Sequence, residues 1–262
     1  MTSLGWKKDK RDERDYSTSV LFGQKLRTTI QSEASVLRFR RGRLLQGHAG
    51  SCVAQAITRA SHICQLARGN DAAPMPSAMF TYWAGRKQEN AGLDPASAPP
   101  LDDTGMYPRL AMKAVRNVGM LRADQCPYDD AKVNHELKAN LLRLAYDQRD
   151  FGYYRAFGSR VSAAKDALRR GLGMIFGIQV DEPFTKVSSD APIHAIDGTR
   201  LLGGHMLTVL EVRSDGCIVF DNWWDDWGYD DGLGVLAPEL FESAWVDDVY
   251  VIQSAPLLEV AA

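Results

Sequence analysis

Apolar positions keep a helical period through the first half of the chain and break into short strand-length runs in the second. Val53, Ala56, Ile57, Ala60, Ile63, Cys64 and Ala67 recur at the spacing of one helix face, with Ser51 before them and Gly69 after. That pattern predicts a buried helix over 52–67 with a serine N-cap and a glycine stop. Pro76-Ser77 opens a second predicted helix through Tyr82 and Trp83, Leu110 to Val118 carries a third that ends at Gly119, and a fourth lies around 136–146. The stretch 94–103, rich in Pro, Ala and Asp, reads as a long surface loop. Farther on, glycines and acidic turns separate apolar runs at 174–180, 206–212, 217–220 and 249–252, each with the length and β-branched content of a strand. Helices followed by strands, rather than alternating with them, point to an α+β protein and away from a doubly wound parallel sheet.

Residues 1 to about 45 hold no persistent period and end in the basic run Arg38-Phe39-Arg40-Arg41-Gly42-Arg43. They read as an extended lead-in, a candidate regulatory segment, with the basic run as a solvated face. The net charge of -2 takes nucleic acid and anionic membrane surfaces out of the expected partners. No apolar run reaches the roughly 18 residues of a membrane helix, and the charged first residues are not a signal core, so a cytoplasmic protein is expected. The four cysteines form no CxxC pair and the five histidines are scattered. Neither a disulfide framework nor a metal site is expected, and no cofactor is implied.

The chemistry concentrates in three places. Gln46-Gly47-His48-Ala49-Gly50-Ser51-Cys52 sets a cysteine at a helix start behind a glycine loop. There the unpaired N–H groups and the positive end of the dipole favour a thiolate, and the same N–H groups, with the Gln46 amide, could hold an oxyanion. Cys64, in mid-helix, reads as core. A thiolate nucleophile needs a base, and His205, which follows Gly203-Gly204 and leads into an apolar strand, is the best-placed histidine. His194 falls in a loop, and His62 and His135 fall on predicted helices. A third group must orient the imidazole, and the strand at 217–220 delivers Asp221 and Asn222 just before Trp223, Trp224 and Trp227, which could shield that contact from water.

These three segments, in this order, resemble the papain family of cysteine peptidases, and Gly5-Trp6 with Arg14-Asp15-Tyr16 resembles its bacterial and phage-type members. The family's Gln-Gly-x-x-Gly-Ser-Cys run matches Gln46 to Cys52, its His matches His205, and its Asn-Ser-Trp-Gly-x-x-Trp-Gly signature resembles Asp221 to Gly228. Gly105-Met106-Tyr107-Pro108 looks like its cleft-lining glycine segment, and Cys126-Pro127-Tyr128 like a landmark of its helical half. The resemblance implies a papain-like two-lobed fold: a catalytic domain over 46–262, with a helical lobe at about 46–150 and an antiparallel sheet or barrel lobe at about 151–262. Between the lobes lies a cleft where Cys52, His205 and Gln46 act on a peptide or protein substrate. It also implies substrate contacts at Gly105, Met106, Gly204 and Trp223. Aligned without a gap, the orienting residue is Asp221, and a one-residue deletion would make it Asn222. Met106 stands where a glycine usually lets a substrate approach, so a narrowed cleft is expected. Two other functions stay open: an amidase or acyltransferase on a non-protein amide such as cell-wall peptide, and a binding module that keeps the fold without turnover.

Overall fold

The computed structural model describes residues 3–22, 34–90, 102–146 and 151–254; most of the loop expected at 94–103 lies outside them. After a short helix α1 (Thr18–Phe22) come α2 (Cys52–Ala67), α3 (Ala78–Glu89), α4 (Pro108–Val118) and α5 (Ala139–Tyr146). The second half carries β1 (Phe151–Arg155), α6 (Arg160–Arg169), β2 (Gly173–Asp181), β3 (Leu201–Val212), β4 (Ile218–Asp221), β5 (Leu233–Leu236), α7 (Pro238–Phe241) and β6 (Val246–Ser254). The strands form one sheet in the order β1-β6-β2-β3-β4-β5, and every neighbouring pair is antiparallel.

Two apolar cores follow from this division. One gathers α2, α3 and α4 around Ile57, Phe80, Met112 and Val115; the other lies on the sheet around Phe176, Phe220 and Phe241. Alternation along β2 joins them, because Met174, Phe176 and Ile178 face the sheet core while Ile175 faces the helices. Helix α2 is buried along nearly its whole circumference, so it is the shared wall of both lobes. Thr208 Oγ1 of β3 donates to the Ala56 carbonyl of α2 at 3.1 Å, pinning the helix across the strand that carries His205.

Several elements fall where the apolar pattern places them, and the exceptions have physical reasons. Gly119 caps α4 with φ 88°, and Gly69, at φ +86°, follows the end of α2. Ser51 precedes α2 but makes no side-chain cap; its hydroxyl lies 2.6 Å from the Tyr128 hydroxyl instead. The first-turn N–H groups of α2 are thereby left to other partners. Strand β3 begins five residues before its apolar run, so His205 stands inside the strand, opposite Ile178, rather than at its entrance. The basic run is only in part a solvated face: Arg38 and Arg41 are exposed, while Arg40 and Arg43 lie over the sheet lobe and are bound to it.

Candidate active site

Cys52 is the first residue of α2 and is wholly buried. The N–H groups of Met206, Gly5 and Val53 face the thiol and favour its ionised form. Met206 follows His205 directly in β3, so the strand that carries the imidazole runs past the start of the helix that carries the thiol. His205 Nε2 meets Asn222 Oδ1 at 2.7 Å, its ring is stacked on Trp224 with centroids 4.3 Å apart, and its buried Nδ1 takes no hydrogen bond among the described residues. One ring nitrogen is thus fixed by an amide oxygen and the other is left for proton transfer. Gln46 Nε2 reaches the same space, bonded at 2.9 Å to the carbonyls of both Ser3 and Ala49.

Asp221, expected to orient the imidazole on the gap-free alignment, does something else. Its carboxylate meets Arg59 Nε of α2 at 2.8 Å and Arg40 Nε at 3.0 Å. Asn222 is the residue on His205, which corresponds to the one-residue deletion. The turn after Trp224 is shortened, and Asp226 takes φ 49° to close it. The same shift moves the tryptophans. Trp223, expected in the cleft, is fully buried with its Nε1 on the Met206 carbonyl at 2.8 Å, and Trp224 covers the histidine. Arg43 Nη2 donates to the Trp224 carbonyl at 2.5 Å, and the Gln46 N–H donates to the Trp223 carbonyl at 3.0 Å. Tyr128, a landmark in the sequence, donates to the Gln46 carbonyl at 2.8 Å and so holds the loop that carries the amide.

The cleft expected to receive substrate is filled by the chain's own lead-in. Met106 N–H donates to the Gly5 carbonyl at 2.8 Å, Lys7 N–H to the Met106 carbonyl at 3.0 Å, and Trp6 N–H to the Gly204 carbonyl at 3.2 Å. The Ser3 carbonyl lies between Gln46 Nε2 at 2.9 Å and Trp224 Nε1 at 3.1 Å. Gly105 and Gly204 are required here, since a Cβ on Gly105 would come within 2.2 Å of the Gly5 carbonyl and one on Gly204 within 2.6 Å of the Trp6 ring. Met106 does not narrow the cleft: its side chain is fully buried and packs toward Gly85, leaving only its backbone on the cleft wall.

Beyond the cleft the segment is tied down by a buried polar cluster. Trp6 Nε1 and Asp9 N–H both donate to Asp248 Oδ2, at 2.8 and 2.7 Å, while Arg155 Nη2 meets Asp248 Oδ1 at 3.0 Å. Asp9 Oδ2 accepts from the Tyr250 hydroxyl and from Arg109 N–H, both at 2.9 Å, and Lys7 pairs with Glu89 at 2.9 Å. Nothing in composition signals this docking. The only trace is the alternation of Leu4 and Trp6 with small or polar neighbours, too short to read as a strand.

With the segment seated, burial works against charge on both reacting side chains. Burial pushes the Cys52 thiol up to about 12, against the N–H groups that pull it down, and burial brings His205 down to about 3, against its bond to Asn222. The helix terminus favours a thiolate, but the loss of water outweighs it in this closed arrangement. The segment covers the thiol from the Gly5 side and sets the Ser3 carbonyl on the Gln46 amide.

No family model matches the chain. It is similar to the uncharacterized peptidase C1-like protein L477 of Acanthamoeba polyphaga mimivirus, 25% identical over 222 residues, with 79% of this chain and 68% of that protein covered. Its structure is similar to that of xylellain, a cysteine protease from Xylella fastidiosa, with TM-score 0.73, 20% identity and 97% and 96% of the two chains covered. The bromelain protease of Ananas comosus, solved with the E64 inhibitor, matches at TM-score 0.56 and 18% identity over 87% of this chain and 98% of that one. The α+β architecture seen here, helices first and an antiparallel sheet after them, is the papain-like fold.

Proposed function

We propose that the chain is a papain-like cysteine peptidase of the bacterial or phage type, restrained by its own residues 3–9. Cys52 is the nucleophile, His205 the general base and acid, Asn222 the residue that orients the imidazole, and Gln46 Nε2 with the Cys52 N–H the oxyanion donors. The observation that carries this is the imidazole itself: Nε2 is fixed on Asn222 at 2.7 Å under Trp224, Nδ1 has no hydrogen bond among the described residues, and the next residue's N–H faces the Cys52 thiol. The peptidase names of the mimivirus protein and of xylellain support the same assignment.

Once the segment leaves, water enters and both shifts caused by burial relax, so a thiolate and an imidazolium become accessible. The Cys52 sulfur attacks a peptide carbonyl, and a C–S bond forms as the oxygen becomes an oxyanion on Gln46 and the helix N-terminus. The C–N bond breaks as His205 gives its proton to the leaving amine. Water, deprotonated by His205, then displaces sulfur and releases the acid. The inward side chain of Met106 and the stacking of Trp224 on the histidine support turnover over a silent module.

The test is hydrolysis of a denatured protein and of peptidoglycan fragments by Gly5→Ala, whose added Cβ would lie 1.8 Å from the Gly50 carbonyl oxygen and releases the segment, and by Gly5→Ala/Cys52→Ala. Cleavage of the protein that falls by at least about 10⁴-fold in the double variant supports the proposal. Equal cleavage by both, or turnover of the cell-wall fragments alone, rejects it.

A further inference from the structure

We propose that the slot now filled by Trp6 is a specificity pocket whose floor, Asp248, selects peptide substrates carrying a flat side chain with an N–H donor, tryptophan above all. The proposal rests on the peptidase assignment and deepens it.

The slot belongs to the cleft rather than to the segment. Residue 6 is the one whose backbone lies between the two walls, with Gly204 on the β3 side and Met106, bonded to its two neighbours, on the helical side. Any extended peptide lying between those backbones sends one side chain the same way. The walls are flat because they lack side chains. A Cβ on Gly177 would come within 2.3 Å of the Trp6 ring, and one on Gly204 within 2.6 Å. Both glycines lie on one face of the paired strands β2 and β3, so a planar ring lies flat across them, and a branched aliphatic chain does not cover such a face as well.

The floor is a built acceptor. Asp248 is fully buried, takes φ 48°, and sits where the pairing of β6 with β2 shifts register, so a bulge turns its carboxylate inward. A residue other than glycine held in that backbone region stores strain, and such strain collects at functional positions. Of its two oxygens, Oδ1 is bound from within the sheet lobe by Arg155 at 3.0 Å. Oδ2 depends wholly on the segment, through Trp6 Nε1 at 2.8 Å and Asp9 N–H at 2.7 Å. When the segment leaves, a buried oxygen loses both donors, and a substrate that restores one is favoured over a shape-matched one that cannot. Arg155 is shared with Asp247 at 2.7 Å, so it is the flat glycine face, rather than charge balance, that favours a planar ring over a guanidinium or ammonium.

The test uses the full chain carrying Trp6→Ala, which empties the slot in place. Free indole is added and compared with benzothiophene, which has the same shape but no N–H, and binding is read as the rise in melting temperature. Indole is expected to bind about tenfold more tightly than benzothiophene, with the ratio falling to about one in Trp6→Ala/Asp248→Leu. Equal binding of the two compounds by Trp6→Ala overturns the proposal, as does a ratio unchanged by Asp248→Leu; if that double variant does not fold, the first comparison alone decides. In parallel, cleavage sites in a mixture of peptides are mapped with Gly5→Ala, whose added Cβ would lie 1.8 Å from the Gly50 carbonyl oxygen and unseats the segment. Enrichment of tryptophan over phenylalanine at one position of at least about tenfold supports the substrate claim, and parity defeats it. Absence of all cleavage by Gly5→Ala, with indole still preferred by Trp6→Ala, defeats the peptidase assignment and the substrate claim with it, while the pocket stands.

Discussion

Asp221 and Asp248 are both buried carboxylates at ends or bends of the sheet, yet they are satisfied in opposite ways. Asp221 is closed by Arg59 from α2 and by Arg40 at 2.8 and 3.0 Å, partners that stay in place. Asp248 shares Arg155 but takes its remaining donors from residues 6 and 9 of the lead-in. The first cluster therefore works as a bolt between lobes. Arg59 lies two turns along α2 from Cys52, and Asp221 adjoins Asn222, so their ion pair sets the thiol helix against the histidine wall. The second works as a latch, complete only while the segment is seated. A buried charge that keeps its partners fixes geometry, and one that borrows them makes geometry conditional.

The largest expected effect breaks the bolt. Asp221→Leu strands the buried Arg59 and Arg40 charges and is expected to cost about 3–5 kcal/mol in urea unfolding. Arg59→Met combined with Asp221→Leu is expected to recover part of that loss. A loss under about 1 kcal/mol would make Asp221 no more structural than a surface acid. Next comes a change that opens the latch without touching it. A Cβ on Gly5 would lie 1.8 Å from the Gly50 carbonyl oxygen, a backbone atom with little room to yield. Gly5→Ala is expected to unseat the segment by about 1–3 kcal/mol, raising peptide hydrolysis roughly tenfold or more. Unchanged or reduced hydrolysis would show that the segment does not limit access.

The smallest effect is a slope with pH. Burial, and then the neighbouring Asp248, push the Asp9 carboxyl up from 3.8 to about 7, against Arg109 and Tyr250, which pull it down. The seated state thus holds a proton that the released state gives up above pH 3.8. Seating is strongest in acid, weakens as pH climbs toward about 7, and loses nothing more beyond. Hydrogen exchange of residues 3–9, corrected for intrinsic rate, is expected to speed up across that window by at most about tenfold per pH unit. Asp9→Asn is expected to flatten the dependence, and a slope that survives the substitution assigns it to another group.

Much of the site was legible because its chemistry is local. A glycine loop ahead of a helix start, with a glutamine six residues before the cysteine, marks itself in one short stretch, and Gly204-His205 does the same. Asn222 was harder because Asp221 stands beside it, and the deletion that separates them shows only in the tight turn at Asp226. Arg40 and Arg43 read as solvated because charge density in sequence carries no information about a carboxylate 181 or 188 residues away. The seated segment was illegible for a related reason. Its partners, Met106, Gly204 and Asp248, are distant in sequence, and its hold on the cleft is largely through backbone groups that every residue possesses. Strand β1 and helix α6 also went unread, the first because it alternates only weakly at a sheet edge with four of its five residues half-buried.

The most direct measurement is alkylation of the Gly5→Ala chain with iodoacetamide at neutral pH, followed by peptide mapping. The expected result is modification of Cys52 ahead of Cys64, Cys126 and Cys217, slowed at least about tenfold when His205→Ala is added. Modification of Cys126 or Cys217 first, or a Cys52 rate indifferent to His205, would contradict a thiol activated by that imidazole.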